Sequence, residues 1–361
     1  MDVGARAVEA LVTPAFWSGR RVFLTGHTGF KGSWLALRLS ALGAQITGFA
    51  LAPDTDPDLF TLARVGETLT HIEGDIRDRT ALTDAVRSAQ PEIVLHLAAQ
   101  PLVRAGYEFP VDTFATNVMG TAHVLEACRD LPGCRAIVVV TTDKVYRNLE
   151  QPYPYREDDP LGGHDPYSAS KAAAELVAAC WRDSFLGERG IAVATARAGN
   201  VIGGGDWSAE RLLPDAVRAW EAGTALTVRR PEAVRPWQHV LEAVDAYLIL
   251  AERLWHSPEA VGAWNFGPET GSAATVRTVI ELARGAYGAG DVHYANEEAG
   301  PHEAGWLALE IAKARHSLGV HPRWSLEEAV RRTMDWHRRL GDGADARALC
   351  REDARAFEDA A

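Results

Sequence analysis

Thr25-Gly26-His27-Thr28-Gly29-Phe30-Lys31-Gly32 directly follows the apolar run Arg21-Val22-Phe23-Leu24 and opens a helical pattern at Ser33-Trp34-Leu35. Three glycines spaced by three residues, between a strand and a helix, suit a turn whose backbone N–H groups lie against a pyrophosphate, because no Cβ blocks the approach. The strand before and the helix after separate this stretch from an ordinary Gly-rich turn. Gly26, Thr28, Gly29, Phe30, Lys31 and Gly32 are accordingly the first cofactor-binding candidates of a dinucleotide enzyme.

Beyond that turn, short β-rich runs alternate with longer helical patterns. Val22-Leu24, Gln45-Leu51, Thr70-Glu73, Ile93-Leu97, Ala136-Val140 and Ile191-Ala196 are the expected strands. Such alternation predicts an α/β fold, a Rossmann-type doubly wound parallel sheet, with ligands beyond the carboxyl ends of the strands. After Asn200 the texture changes to Gly203-Gly204-Gly205-Asp206-Trp207, a helix-like Glu210–Ala222 and a short basic strand Leu226–Arg230. Gln238–Leu254 then reads as a helix and Ala263–Phe266 as a returning strand. The expected division is a dinucleotide domain over 1–198 that returns at about 237–267, a smaller, sequence-interleaved substrate lobe over 199–236 and 268–340, and a surface helix or tail over 341–361.

Composition narrows the class. The chain has 361 residues, and 37 basic against 49 acidic residues give a net charge of −12, which opposes nonspecific attachment to nucleic acid or to an anionic membrane. No apolar run reaches the ~18 residues of a spanning helix, and the first residues, with Asp2 and Glu9, do not read as a leader. The four cysteines form neither a CxxC pair nor a zinc-like spacing, so a reduced, cytoplasmic protein without a metal site is expected.

The strand ends carry the chemistry. Tyr167 and Lys171 stand one helical turn apart in Tyr-Ser-Ala-Ser-Lys and project from one face, where a nearby ammonium and a positive nicotinamide both favour the phenolate that accepts a hydroxyl proton. Thr142, Asp143 and Lys144 end the run Ala136–Val140, either as a strand cap with a local ion pair or as catalytic groups. Asp75, beside Ile76, is either a turn aspartate or an acceptor for an adenine amino group; Leu97, Ala98 and Ala99 let the backbone approach a ring or ribose. Asn117 is expected to cap a helix, with a link between backbone and the lysine as the alternative. The second strand ends without the acidic residue that grips the adenosine ribose; Asp54, Asp56 and Asp58 come slightly late, so NAD and NADP are not distinguished there. Asn200, Arg211 and Arg235 fall on segments expected to face the sheet's carboxyl edge, where guanidinium forks suit a diphosphate.

Together, Phe16-Trp17, Gly26-His27-Thr28-Gly29-Phe30-Lys31-Gly32-Ser33-Trp34, Thr142-Asp143-Lys144, Gly163–Lys171, Arg197–Trp207, Val234–His239 and His302-Glu303-Ala304 carry a resemblance to the extended short-chain dehydrogenase/reductase superfamily. Within it the chain resembles the CDP-glucose 4,6-dehydratase family, from about Phe16 to Trp336. The resemblance implies NAD as cofactor and CDP-glucose as substrate, with Arg104 and His302 joining Asn200, Arg211 and Arg235 in binding it. It implies that Tyr167 takes the 4-hydroxyl proton with help from Thr142 and Lys171, and that Asp143 protonates the departing C6 hydroxyl. Lys144 replaces a glutamate of thymidine-sugar relatives and acts as base, as partner of Asp143 or on the enolate. Gly305, Leu309 and Glu310 depart from the family pattern in the nucleotide pocket, and Thr142 stands where relatives often carry serine. A homodimer through helices near Asn117 and Tyr167 is also implied. The rival readings are a nucleotide-sugar 4-epimerase, which needs no acid/base pair at 143–144, and a noncatalytic dinucleotide sensor, which needs neither Tyr167 nor Lys171.

Overall fold

The structure, a computed structural model, describes residues 10–295 and 304–360. Its strands are β1 (Arg21–Thr25), β2 (Gln45–Ala50), β3 (Thr70–Glu73), β4 (Ile93–His96), β5 (Ala136–Val140), β6 (Ala192–Ala198), β7 (Asn200–Ile202), β8 (Leu226–Val228), β9 (Val234–Arg235), β10 (Trp237–His239), β11 (Gly262–Phe266), β12 (Ala274–Thr275) and β13 (Val292–Tyr294). Seven of them form one parallel sheet in the order β11-β6-β5-β4-β1-β2-β3. The strand order reverses between β1 and β4, and that reversal opens a crevice at their carboxyl ends.

Central strands covered on both faces need unbroken apolar runs. In β5 every residue is buried: Ala136, Val138 and Val140 enter one core, while Ile137 and Val139 enter the other. The first core is closed by the helices Phe30–Ala41 and Val240–His256, the second by Arg79–Ala89 and Gly120–Cys128. The buried Arg38 guanidinium, 2.9 Å from Asp245, ties the first two helices together, which fixes the helix that follows the glycine turn.

A third core lies between the helices Leu212–Glu221, Val276–Tyr287 and Leu326–Gly341, built from Leu213, Val217, Trp220, Ile280 and Val330. It stands over the carboxyl edge of the sheet through three two-stranded pairs, β7 with β10, β8 with β13 and β9 with β12. The helix read from Gln238 therefore starts two residues later. Trp237–His239 pairs with β7 as a strand, and the helix begins at Val240 with the His239 side chain accepting from Leu241 N. At the other end, Ala346–Glu358 is a helix whose Leu349, Cys350 and Phe357 are buried in the first core. Among the described residues no helix is long and apolar enough to cross a membrane, and Cys128, Cys134 and Cys350 are buried free thiols while Cys180 is exposed.

Candidate active site

The glycine turn is tight because its backbone packs on itself and on the end of β4. Gly26 has φ +77°, and a Cβ there would lie 2.6 Å from Ala98 N; a Cβ on Gly32 would lie 2.0 Å from Gly26 O. Thr28 Oγ1 donates to Leu51 O at 2.9 Å, which pins the turn to the end of β2. The helix then starts at Phe30 with Gly29 as N-cap and no side-chain cap, so its first N–H groups are left to a ligand. Phe30 itself packs on the first core, within 3.2 Å of where a Cβ on Gly203 would sit. Thr25 Oγ1 accepts from Leu97 N and Ala98 N and bonds His96 Nδ1 at 2.7 Å; with Nε2 on Thr121, His96 is satisfied on both sides. This arrangement fits a dinucleotide: a backbone cradle that tolerates only glycine, an uncapped helix start, and the half-buried Leu97-Ala98-Ala99 beside it. Gly32→Ala forces backbone apart, so a loss of about 1–3 kcal/mol is expected together with weaker NAD binding. Thermal unfolding and a cofactor titration check it; an unchanged Tm and Kd contradict the cradle.

Other expected cofactor contacts take different partners. Asp75 is engaged by Arg77 through its N–H and guanidinium. Ile76 is buried against Gly120. Asn117 does not cap a helix: Pro110–Cys128 runs on without a break through a wider turn at Ala115–Met119, and no cap hydrogen bond forms there. Instead its amide donates to Gln100 O and Ser170 Oγ and accepts from Gln100 N, joining the end of β4 to the helix that carries Lys171. Asp58 caps the short helix Leu59–Leu62, while Asp54 and Asp56 are exposed.

A cavity of about 600 Å³ opens beside the turn, between the sheet edge and the third core. Lys31, Thr142, Lys144, Tyr167, Arg104, Asn200, Arg211 and Arg235 all line it. Thr142 Oγ1 donates to Asp143 Oδ1 at 2.9 Å, and Lys144 Nζ lies 3.5 Å from the same oxygen. Asp143 is fully buried, and its Oδ2 has no hydrogen-bond partner. Lys171 Nζ donates to Val140 O at 3.1 Å, holding the helix Pro166–Trp181 against the end of β5. Burial lowers the Lys171 ammonium to about 8, against the pull of Glu175. The expected lowering of the Tyr167 phenol rests on the nicotinamide charge as well as on the Lys171 ammonium. Burial pushes the phenol up to about 12, outweighing its polar contact with Thr142, so a cation must enter the site to bring it down.

On the far wall Arg211 pairs with the buried Asp206 at 3.2 Å, and Arg104 reaches Glu210 at 3.0 Å across the mouth. Arg235 donates to Val234 O and Ala304 O, and Asn200 Oδ1 is buried without a partner. Lys31, expected with the cofactor, lies in this cavity; burial, then the cations of Arg211 and Lys171, lower it to about 7. His302 lies outside the described residues. Tyr146, Asp206, Glu210 and Leu226–Val228 also line the cavity, and sequence reasoning gave none of them a role. Only Asp206 carried a signal, inside Gly-Gly-Gly-Asp-Trp.

A model of the NAD dependent epimerase/dehydratase family matches residues 22–265. The chain belongs to that family. As a member it is an NAD-dependent enzyme, and the matched segment contains the glycine turn, Thr142-Asp143-Lys144, Tyr167 and Lys171. The CDP-glucose 4,6-dehydratase of Salmonella typhimurium is 45% identical over 341 residues, covering 93% of this chain and 95% of that one. Family structures superpose over nearly the whole chain. DesIV, a dTDP-glucose 4,6-dehydratase from Streptomyces venezuelae with NAD and TYD bound, has a TM-score of 0.77 at 25% identity, over 91% of this chain and 99% of that one. MoeE5 in complex with UDP-glucuronic acid and NAD has a TM-score of 0.75 at 26% identity, over 88% and 99%.

Proposed function

We propose that the protein dehydrates CDP-glucose to CDP-4-keto-6-deoxy-glucose. The observation that carries dehydration over epimerisation is the Asp143–Lys144 pair: a fully buried carboxyl whose second oxygen is unpartnered, set just behind Thr142 and Lys144, which line one cavity with Tyr167. NAD, held by Gly26, Thr28, Gly29, Phe30, Lys31 and Gly32, with the end of β4 beside them, supplies when bound the oxidation at C4 and the matching reduction at C6. Tyr167 Oη takes the proton of the glucose 4-hydroxyl, while Thr142 Oγ1 orients the phenol and the Lys171 ammonium favours the phenolate. With C4 a ketone, the C5 proton is acidic. Lys144 of the pair accepts that proton, and Asp143 gives one to the departing C6 oxygen, so that water leaves. Burial keeps the Asp143 carboxyl out of bulk water.

Arg211, Arg235, Arg104 and Asn200 are the residues for the nucleotide diphosphate and sugar in this reading. Arg211 is the strongest of them, since Asp206 orients its guanidinium along the cavity wall. The lobe over 199–236 and 268–340 then holds the nucleotide and the remainder holds the cofactor. We further infer a homodimer: Phe109, Val111, Phe114, Met119 and Leu176 leave apolar side chains exposed on the helices around Asn117 and Tyr167. Turnover across CDP-, UDP-, dTDP- and GDP-glucose tests the substrate. The highest kcat/KM is expected with CDP-glucose, and equal or higher values with another base contradict the cytidine assignment.

A further inference from the structure

The reaction as read above uses Tyr167, Lys171, Thr142 and Asp143, and leaves unexplained a buried carboxylate one helical turn beyond Lys171. Glu175 is 5% exposed and every lone-pair direction of its carboxylate is taken. Its Oε1 accepts from Thr141 Oγ1 at 2.5 Å and Arg197 Nε at 3.0 Å, and its Oε2 from Thr195 Oγ1 at 2.6 Å and Arg197 Nη2 at 2.9 Å. Arg197 is 3% exposed and extends the network through Tyr146 Oη, at 2.8 Å, to Asn265 Oδ1, at 2.7 Å from Tyr146. Tyr146 is itself a wall of the cavity.

An ion pair this deep is rarely the most stable filling for such a site, because desolvating two charges offsets most of their attraction. Its placement supplies a reason. Thr141 directly precedes Thr142, and Lys171 lies at i−4 on the same helix face. We propose that Glu175 is a positioning residue of the active site: clamped by Thr141, Thr195 and Arg197, its carboxylate holds the positive charge of Lys171 in place and fixes the strand end that presents Thr142. The role rests on the catalytic reading of Tyr167 and Lys171 given above.

The groups around Lys171 make this a matter of charge as well as shape. Tyr167 shares its helix, Lys31 faces it from the helix Phe30–Ala41 and His96 from β4, and the turn Asp143–Val145 packs on the same helix. Burial disfavours the ammonium, and Glu175 opposes it. Lys171 is cationic below its folded value of about 8 and neutral above it. Removing the carboxylate lowers that value further, so activity that needs the ammonium is lost at lower pH.

The test is the pH profile of kcat for Glu175→Gln and for Glu175→Gln with Arg197→Met, the double variant removing both buried charges together, the change that buried pairs tolerate best. Folding and NAD binding are followed in parallel. The alkaline limb is expected to move down by about one pH unit in Glu175→Gln and by less in the double variant, which loses the Arg197 charge as well. A folded variant whose kcat falls equally at every pH, with the limb unmoved, overturns the proposal in favour of a merely structural role. Tyr167→Phe in the same series separates the two readings: full turnover there contradicts the catalytic assignment itself, whereas an inactive Tyr167→Phe with an unmoved limb contradicts the role of Glu175 alone.

Discussion

Tyr167→Phe is expected to lower kcat with CDP-glucose by about a hundred- to ten-thousand-fold while leaving NAD affinity and Tm close to those of the parent chain. The ring is 92% buried by packing that phenylalanine keeps, since Tyr167 is only 8% exposed, so the substitution removes little more than the hydroxyl. That hydroxyl meets Thr142 and lines the cavity, one helical turn from Lys171. In the protein alone its proton is held tightly, at about 12, because burial disfavours the phenolate. A base with that value works only when positive charge is brought beside it, which links proton transfer to loading of the site. Steady-state kinetics with a parallel NAD titration provides the check. A variant that keeps more than about a tenth of the turnover removes Tyr167 from proton transfer.

Asp143→Asn is the second large effect, again about a hundred- to ten-thousand-fold in kcat. Asparagine retains the acceptor that Thr142 Oγ1 uses and adds N–H groups where Oδ2 now has no partner, so the fold has little reason to object. What is lost is a transferable proton at the C6 oxygen. The loss is therefore specific to the leaving group. A CDP-glucose carrying fluorine in place of the C6 hydroxyl leaves as fluoride without needing a proton, and turnover of that compound is expected to be nearly restored in Asp143→Asn. Equal impairment with both substrates contradicts the acid role and points to a distorted site instead.

Legibility from the sequence followed the range of the interactions. The glycine turn, the strand ends and the Tyr–Lys pair are local patterns: each is a few residues whose geometry is set by one strand and one helix, so their chemistry can be read in order. The alternation of short β-rich runs with helical patterns likewise placed β1 to β6, most clearly the central β4 and β5, which are covered on both faces and buried throughout. Trp237–His239 was hidden by the apolar pattern of the helix behind it, and only its pairing with β7 makes it a strand. Asn117 looked like a cap because a polar residue precedes a helical run; its partners, Gln100 and Ser170, come from two other elements. The same holds for Lys31, whose side chain leaves the cofactor turn for the cavity, and for Glu175, whose clamp combines Thr141 at the end of β5 with Thr195 and Arg197 of β6. No periodicity encodes such meetings. The missing ribose carboxylate has a structural counterpart as well, since Asp58 is occupied as a helix cap and Asp54 and Asp56 face solvent.

The claim on which the rest depends is that an acid–lysine pair at the end of β5 converts a C4-oxidised hexose into an elimination product instead of an epimer. Incubating the NAD-loaded protein with CDP-glucose and weighing the nucleotide sugar by mass spectrometry tests it most directly. The account predicts a product lighter than the substrate by one water, with no isobaric sugar formed. A product of unchanged mass that separates from CDP-glucose on chromatography would contradict it and assign the site to 4-epimerisation.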